Sequence, residues 1–253
     1  MARTTGPAGR SVTSKLSTIL DVFTEERPNL TLSEVARRAG LPISTASRLL
    51  IEMTTAGWLE RRPTDGSFQV GMRLWEVGAL APRKRSLRDA AIPYLQDLYA
   101  AVHQNVQLIV LDADDGLCIE RIYGKYAVPN RTDVGGRLPL HATATGKSLL
   151  AHAPEAVRAR VLEGPLERFT DATITDPARL KEVLCRVCET GIAVSRGERS
   201  RDIGAIAAPI RGRDDALLGA VGIVAHVRID LDRLGPAVRT VALAIGRSSS
   251  FGV

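Results

Sequence analysis

Ser44, Thr45, Ser47 and Arg48 stand within five residues of one another and offer three small hydroxyls and one guanidinium. Hydroxyls both donate and accept, and an arginine can grip guanine or a phosphate, so this set could read base edges in a DNA major groove. Reading requires all four side chains to share the first turns of one helix while apolar residues hold its other face. Ile43, Ala46, Leu49, Leu50 and Met53 supply that face at the 3.6-residue period, which predicts a helix over 42–55. Upstream, Leu32, Val35, Ala36 and Ala39 predict a partner helix, opened by the capping box Thr31-x-x-Glu34 and closed by Gly40 ahead of Pro42. Two short helices across a tight turn make a helix-turn-helix.

The following residues read as a hairpin: a strand at 58–60, a turn at 63–67 carrying Asp65-Gly66, and a return strand at 68–70. Arg61 and Arg62 lie beside it, placed to hold phosphates and carrying little sequence information. A helix over 12–25, with Val12, Leu16, Ile19, Leu20 and Phe23 on one face, completes a three-helix, winged head.

Charge follows the same division. The first 85 residues hold 13 Lys and Arg against 8 Asp and Glu, which is +5 of the chain's +6, and the remainder is nearly neutral. A basic excess confined to one end suits a polyanion-binding head on a body with another task. With 253 residues the chain is long enough for two ordinary domains. It contains no apolar run of membrane-spanning length, so no membrane partner is expected. Its first residues lack the apolar stretch of a secretion signal, which predicts a cytoplasmic protein.

We divide the chain into a flexible arm (1–10), a winged-helix domain (11–72), a linker helix (73–86) and a second domain (87–250). The linker, with Leu74, Trp75 and Val77, could pair with its twin in a dimer or pack on its own head. In the second domain the pattern predicts helices over 87–103, 142–151, 155–162, 176–190 and 231–248. Strands are predicted over 106–112, 117–123, 127–132, 192–195, 203–210 and 217–227. Helices against a curved antiparallel sheet, an α+β domain, follow from the hairpin neighbours.

Chemistry in the second domain is less explicit. Gly146-Lys147-Ser148 matches the end of a phosphate-binding loop, but His141 stands where its first glycine belongs, which argues against nucleotide hydrolysis. The free N–H groups of that helix start still suit a carboxylate. His103, His141, His152 and His226 lack triad or metal spacing, so no enzyme, metal or cofactor is called for. Cys185 and Cys188 form a C-x-x-C inside a predicted helix, without the second pair that structural zinc needs, and are expected to be buried or half-buried thiols.

Taken together, the segments LSEVAR with GLP, STASRLL, RLPLHATATGKSLLA at 137–151, TITD at 173–176 and IAAPI at 206–210 resemble the IclR family of bacterial transcription regulators over about residues 12–248. The resemblance implies a winged-helix head, a linker helix and a GAF-like domain that binds a small-molecule effector. It implies double-stranded operator DNA as partner, assembly as a dimer or a dimer of dimers, and most often repression. By the same resemblance the effector would lie among Leu138, His141, Ala144, Thr145, Ser195, Ile203, Ala205, Gly222 and Val224. Family members that take small keto or hydroxy acids carry Asp, Cys, Ser and Ser where this chain has Ser195, Ala205, Gly222 and Val224. Three of those four positions here offer no polar side chain, which points to a larger, more apolar effector such as an aromatic or alicyclic acid or lactone. Asp202 replaces a common glycine, so the loop at 197–202 should differ in shape. A metabolite-converting enzyme and a sequence-independent DNA-coating protein are the rival readings.

Overall fold

The computed structural model describes residues 11–24, 26–78, 80, 82–124, 128 and 132–248, and within these the side chains of 82–85 are left out. The expected arm at 1–10 lies outside the described residues. Two compact units result, Met1–Ala81 and Pro82–Val253.

The first unit packs α1 (Val12–Asp21), α2 (Leu32–Ala39) and α3 (Ile43–Thr55) around one apolar core. Helix α2 starts where Thr31 accepts from the Glu34 amide while the Glu34 carboxylate takes the Thr31 N–H at 2.8 Å, the reciprocal capping box. It stops where Gly40 turns left-handed at φ 62°, a conformation costly for any residue with a Cβ. Val35, Ala36, Ala39, Ala46, Leu49, Leu50 and Met53 are buried as the periodicity requires. Ile43 is the exception: at the first turn of α3 it is 56% exposed, so it belongs to the solvent face. Helix α1 ends at Asp21 rather than 25, because Thr24 and Arg27 bond backbone to backbone in a turn.

The wing is β1 (Leu59–Arg61) paired with β2 (Phe68–Val70) in antiparallel register, Leu59 opposite Val70. Leu30 adds a third rung by exchanging both backbone hydrogen bonds with Phe68, which ties the wing to the start of α2. Helix α4 (Met72–Gly78) then leaves Met72, Trp75 and Val77 exposed, with Leu80 beyond it equally bare.

In the second unit α5 (Pro82–Val102) begins five residues earlier than expected, proline being favoured in a first turn whose N–H groups are unpaired anyway. Six strands follow: β3 (Asn105–Asp112), β4 (Asp115–Ile122), β5 (Arg137–Pro139), β6 (Ala193–Arg196), β7 (Ile203–Arg211) and β8 (Leu217–His226). They form one antiparallel sheet in the order β5-β4-β3-β8-β7-β6. The strand expected at 127–132 falls largely outside the described residues. Short β5 was missed because its three residues end in Pro139, and such a segment is tolerated only at a sheet edge.

Both faces of the sheet are covered. Helix α5 and the last helix, α9 (Gly235–Ser248), bury Leu95, Leu98, Val238 and Ile245 against Leu108, Ile206 and Ile223. On the other side α6 (Ala144–Ala151) and α8 (Pro177–Thr190) cover Ile109, Ala193 and Ala220, with α7 (Glu155–Glu163) packed on their outer side. Two-sided burial explains why β7 and β8 read as nearly continuous apolar runs rather than alternating ones. The final predicted helix is divided, since a 3-10 turn at Leu231–Leu234 precedes α9 and Leu231 plugs the core. Cys185 and Cys188 are both exposed on α8, contrary to expectation; Leu180, Leu184 and Val187 fill its buried stripe instead.

Candidate functional site

Two regions gather the residues singled out in the sequence. On the head, Ser44 and Arg48 are exposed and Thr45 and Ser47 half-buried, all on the first two turns of α3 and opposite its buried stripe. Pro42 caps the helix without a side-chain bond, so the first amides of α3 stay available to an anion. Arg48 is held by Glu52 one turn on, Nη1 to Oε1 at 2.6 Å, with both side chains more than half exposed. Arg61 donates from Nε to the Gly66 carbonyl at 3.2 Å and lies 6.0 Å from the Phe68 ring centre, which fixes it along the wing. Arg62 stands 4.0 Å from Asp65, whose carboxyl is held below the usual range first by the Ser67 hydroxyl and amide. The arginines are thus pre-oriented on the outer surface of a rigid hairpin.

The second region is a cavity of about 520 Å³ on the α6 side of the large sheet, within the ordinary size range of small-molecule sites. Register explains its floor. Ser195 pairs with Ala205 and Ala205 with Val224, so three residues from three strands form one row with side chains toward the same face. Gln107, two residues along β3 from the end of that row, lines the same cavity. Leu138 from β5 and Ile203 from β7 complete the apolar part, and Ala144 marks where α6 begins.

Three expected residues do not line the cavity. Gly222 faces α6: a Cβ there would come within 2.5 Å of the Thr145 methyl, so the glycine seats the helix. Thr145 is fully buried and takes a bond from the Gln107 amide at 3.4 Å, orienting a residue that does line the space. His141 sits behind the wall, its Nε2 2.9 Å from the Glu167 carbonyl and its ring stacked on Phe169 at 5.9 Å.

Conversely, the sequence reading did not name Gln107, Thr132, Ala142, Thr143, Phe169, Thr170, Arg199, Ser200 or Arg201 as site residues, and it singled out Asp202 only for the shape of its loop. A glutamine inside the apolar run VQLIVLD was a usable signal. The loop residues carried none, because long-range packing alone brings them there. Arg199 lies 5.3 Å from the Phe169 ring centre, and Arg201 is paired with Asp171 at 2.9 Å. The cavity therefore has a polar half that the apolar expectation did not include.

Helix α6 presents its start to this space. Thr143 caps it, accepting from the Gly146 amide at 3.0 Å and donating to the Pro139 carbonyl at 3.0 Å. A Cβ on Gly146 would meet Leu140 at 2.7 Å, so glycine permits the close approach of the first turn. The Gly146 N–H is therefore spent on its cap, and Ala144 is the residue of this first turn that lines the cavity. One turn deeper, Lys147 is buried and donates to Glu198 at 2.5 Å. Burial pulls the Lys147 ammonium below the usual lysine range, and the Glu198 carboxylate opposes that shift. Thr173 fixes the Glu198 loop, its hydroxyl donating to the Glu198 carbonyl at 2.6 Å.

Among the described residues, no group of three or more His, Cys, Asp or Glu side chains is arranged to hold a metal ion. Among the same residues, no helix is long and apolar enough to cross a membrane.

Comparison with known proteins matches residues 12–63 to the IclR helix-turn-helix domain and residues 80–247 to the bacterial transcriptional regulator IclR C-terminal domain. The HTH-type transcriptional regulator XynR of Escherichia coli K12 is 32% identical over 206 residues, covering 81% of this chain and 82% of that protein. The transcriptional repressor IclR of the same strain is 29% identical over 239 residues, covering 90% and 87%. Among solved structures, an IclR homolog from Microbacterium hydrocarbonoxydans complexed with 4-hydroxybenzoate superposes with a TM-score of 0.89 at 34% identity, covering 96% of this chain and all of that one. The chain belongs to the IclR family of ligand-responsive bacterial transcription regulators.

Proposed function

We propose that this regulator is a repressor that reads double-stranded operator DNA through Ser44, Thr45, Ser47 and Arg48, with Arg61 and Arg62 on the backbone. The supporting observation is that α3 turns its polar residues outward from a fully packed core, which leaves them free to meet base edges. The head extends over about residues 11–72 and is followed by a linker, and the exposed Met72, Trp75 and Val77 of α4 form the contact through which two copies join. Two heads then address two half-sites, as a two-fold operator demands. The protein acts in the cytoplasm and converts nothing.

Its effector is an aromatic monocarboxylate of one ring, bound in the 520 Å³ cavity. The ring lies on the row formed by Ala205 and Val224 with Leu138 beside it, and the carboxylate meets the Ala144 amide at the start of α6. Polar substituents reach Gln107, Thr170 or Arg199. The 4-hydroxybenzoate held by the Microbacterium relative has this chemistry. Effector changes DNA affinity only through its differential affinity for DNA-competent and incompetent states.

Calorimetric titration of the full chain with 4-hydroxybenzoate, benzoate and phenol tests the effector half. Saturable binding of the two acids, none of phenol, and loss of both in Ala205→Phe are expected. Unchanged acid binding in Ala205→Phe would place the site elsewhere.

A further inference from the structure

A second cavity of about 660 Å³ borders the loop at 197–202, as the first does, but through a different residue. Glu198 lines it, whereas Arg199, Ser200, Arg201 and Asp202 line the other. Its residues come from α8, β6, the segment leading into α8, Lys147 of α6 and Glu198 of the loop, and none of them lines the effector cavity described above.

Three features give it the character of a built site. Its floor is the Lys147–Glu198 pair, and the second carboxylate oxygen of Glu198, Oε2, is buried without a hydrogen-bond partner. An orphaned buried acceptor costs about 1–3 kcal/mol, so a donor placed there would be rewarded. Its walls are apolar, with Ile174, Val183, Val187 and Val194. Its rim is cationic: Arg179, Arg186 and Arg196 all line it. Arg196 is matched by Asp232 at 3.0 Å, but Arg179 and Arg186 have no ion-pair partner among the described residues.

The charges decide the ligand class. Lys147 already balances the charge of Glu198, so Oε2 calls for a neutral donor rather than a second ammonium. Arg179 and Arg186 recur at i and i+7 on α8, two turns apart, and flank the half-buried Val183. We propose that this cavity is a second ligand site of the domain, taking a carboxylate with an apolar body and a hydroxyl at its far end. The carboxylate sits between Arg179 and Arg186, the body lies on Val183 and Val187, and the hydroxyl donates to Glu198 Oε2. The proposal goes beyond the effector reading and does not depend on it.

The test is calorimetric titration of the full chain with 6-hydroxyhexanoate, hexanoate and hexanol. One mole of 6-hydroxyhexanoate should bind per chain, hexanoate about 10- to 100-fold more weakly for want of one hydrogen bond to a charged acceptor, and hexanol not measurably. In Arg179→Glu/Arg186→Glu, whose positions are exposed on α8, affinity should fall at least tenfold, while Ala205→Phe, which fills the first cavity, should leave it unchanged. Absence of saturable binding, survival in the double arginine variant, or loss in Ala205→Phe would each overturn the second site. Sedimentation of Val183→Trp is the further control. An unchanged assembly supports a small-molecule site, and a smaller assembly than that of the unsubstituted chain would show the groove to be a contact between copies and overturn it.

Discussion

The two units put their polar chemistry in opposite places. Among the described residues, Ser67 is the one buried polar side chain of the N-terminal unit, whereas the C-terminal unit buries eleven, including Gln107, Thr145, Lys147, Ser195 and Glu198. In the head the side chains proposed to meet DNA stand outside a dry core. In the second unit they are part of the interior. The difference teaches which residues can be altered without risk to the fold: a surface reader can lose its contacts and remain folded, but a cavity wall cannot be stripped without exposing unpaired groups.

Lys147 breaks this comparison most forcefully. Lys147→Met leaves the Glu198 carboxylate buried and unpaired, which should cost about 3–5 kcal/mol in denaturant-unfolding measurements. The double variant Lys147→Met/Glu198→Leu should recover most of that loss, since an apolar pair in place of a buried ion pair is often neutral. Recovery would show that the cost belongs to the stranded charge and not to the shape of the site.

Arg48→Ala probes the opposite case. Its pair with Glu52 is solvent-exposed, so the melting temperature should stay within error. Specific DNA binding should fall by about 1–3 kcal/mol, with scrambled duplex affected far less. An equal loss on both duplexes would demote Arg48 to a phosphate contact.

Thr31→Ala removes the cap of α2 and should cost about 1 kcal/mol of head stability by thermal unfolding. A related acid effect is smaller. Hydrogen bonds from the Thr31 amide and hydroxyl hold the Glu34 carboxyl below its ordinary value of 4.5. A group with a depressed folded value stabilises fully above 4.5, and that contribution is lost as the pH falls through the depressed value. Glu34→Gln should flatten this part of the acid melting curve. The thiols give the mildest contrast. Burial pushes the Cys118 thiol up to about 12, so Ellman's reagent should label Cys185 and Cys188 in the native protein and Cys118 only after unfolding.

The same division governs what could be read from the amino acids alone. The head is built from local signals: a capping box four residues long, a glycine at a left-handed helix end, an apolar spacing of three to four residues. Each is complete within one turn, so α2, α3 and the wing were legible almost to the residue. The cavity is assembled from positions 107 to 224, and its floor is a register, Ser195 to Ala205 to Val224, that no single segment contains. Resemblance to a family supplied that row. Phe169, Arg199 and Arg201 stayed invisible because loops and long-range packing, not periodicity, place them. His141 and Gly222 were legible as special, but their places behind the cavity wall were not: one stacks on Phe169 and the other makes room for Thr145.

The most direct measurement is fluorescence anisotropy of the full chain on the intergenic duplex beside its own gene against a scrambled duplex of equal length, across a salt series. A preference of about 1,000-fold or more that persists at physiological salt is predicted for a base-reading α3. Equal affinity for both duplexes, falling together with salt as phosphate contacts alone require, would contradict it.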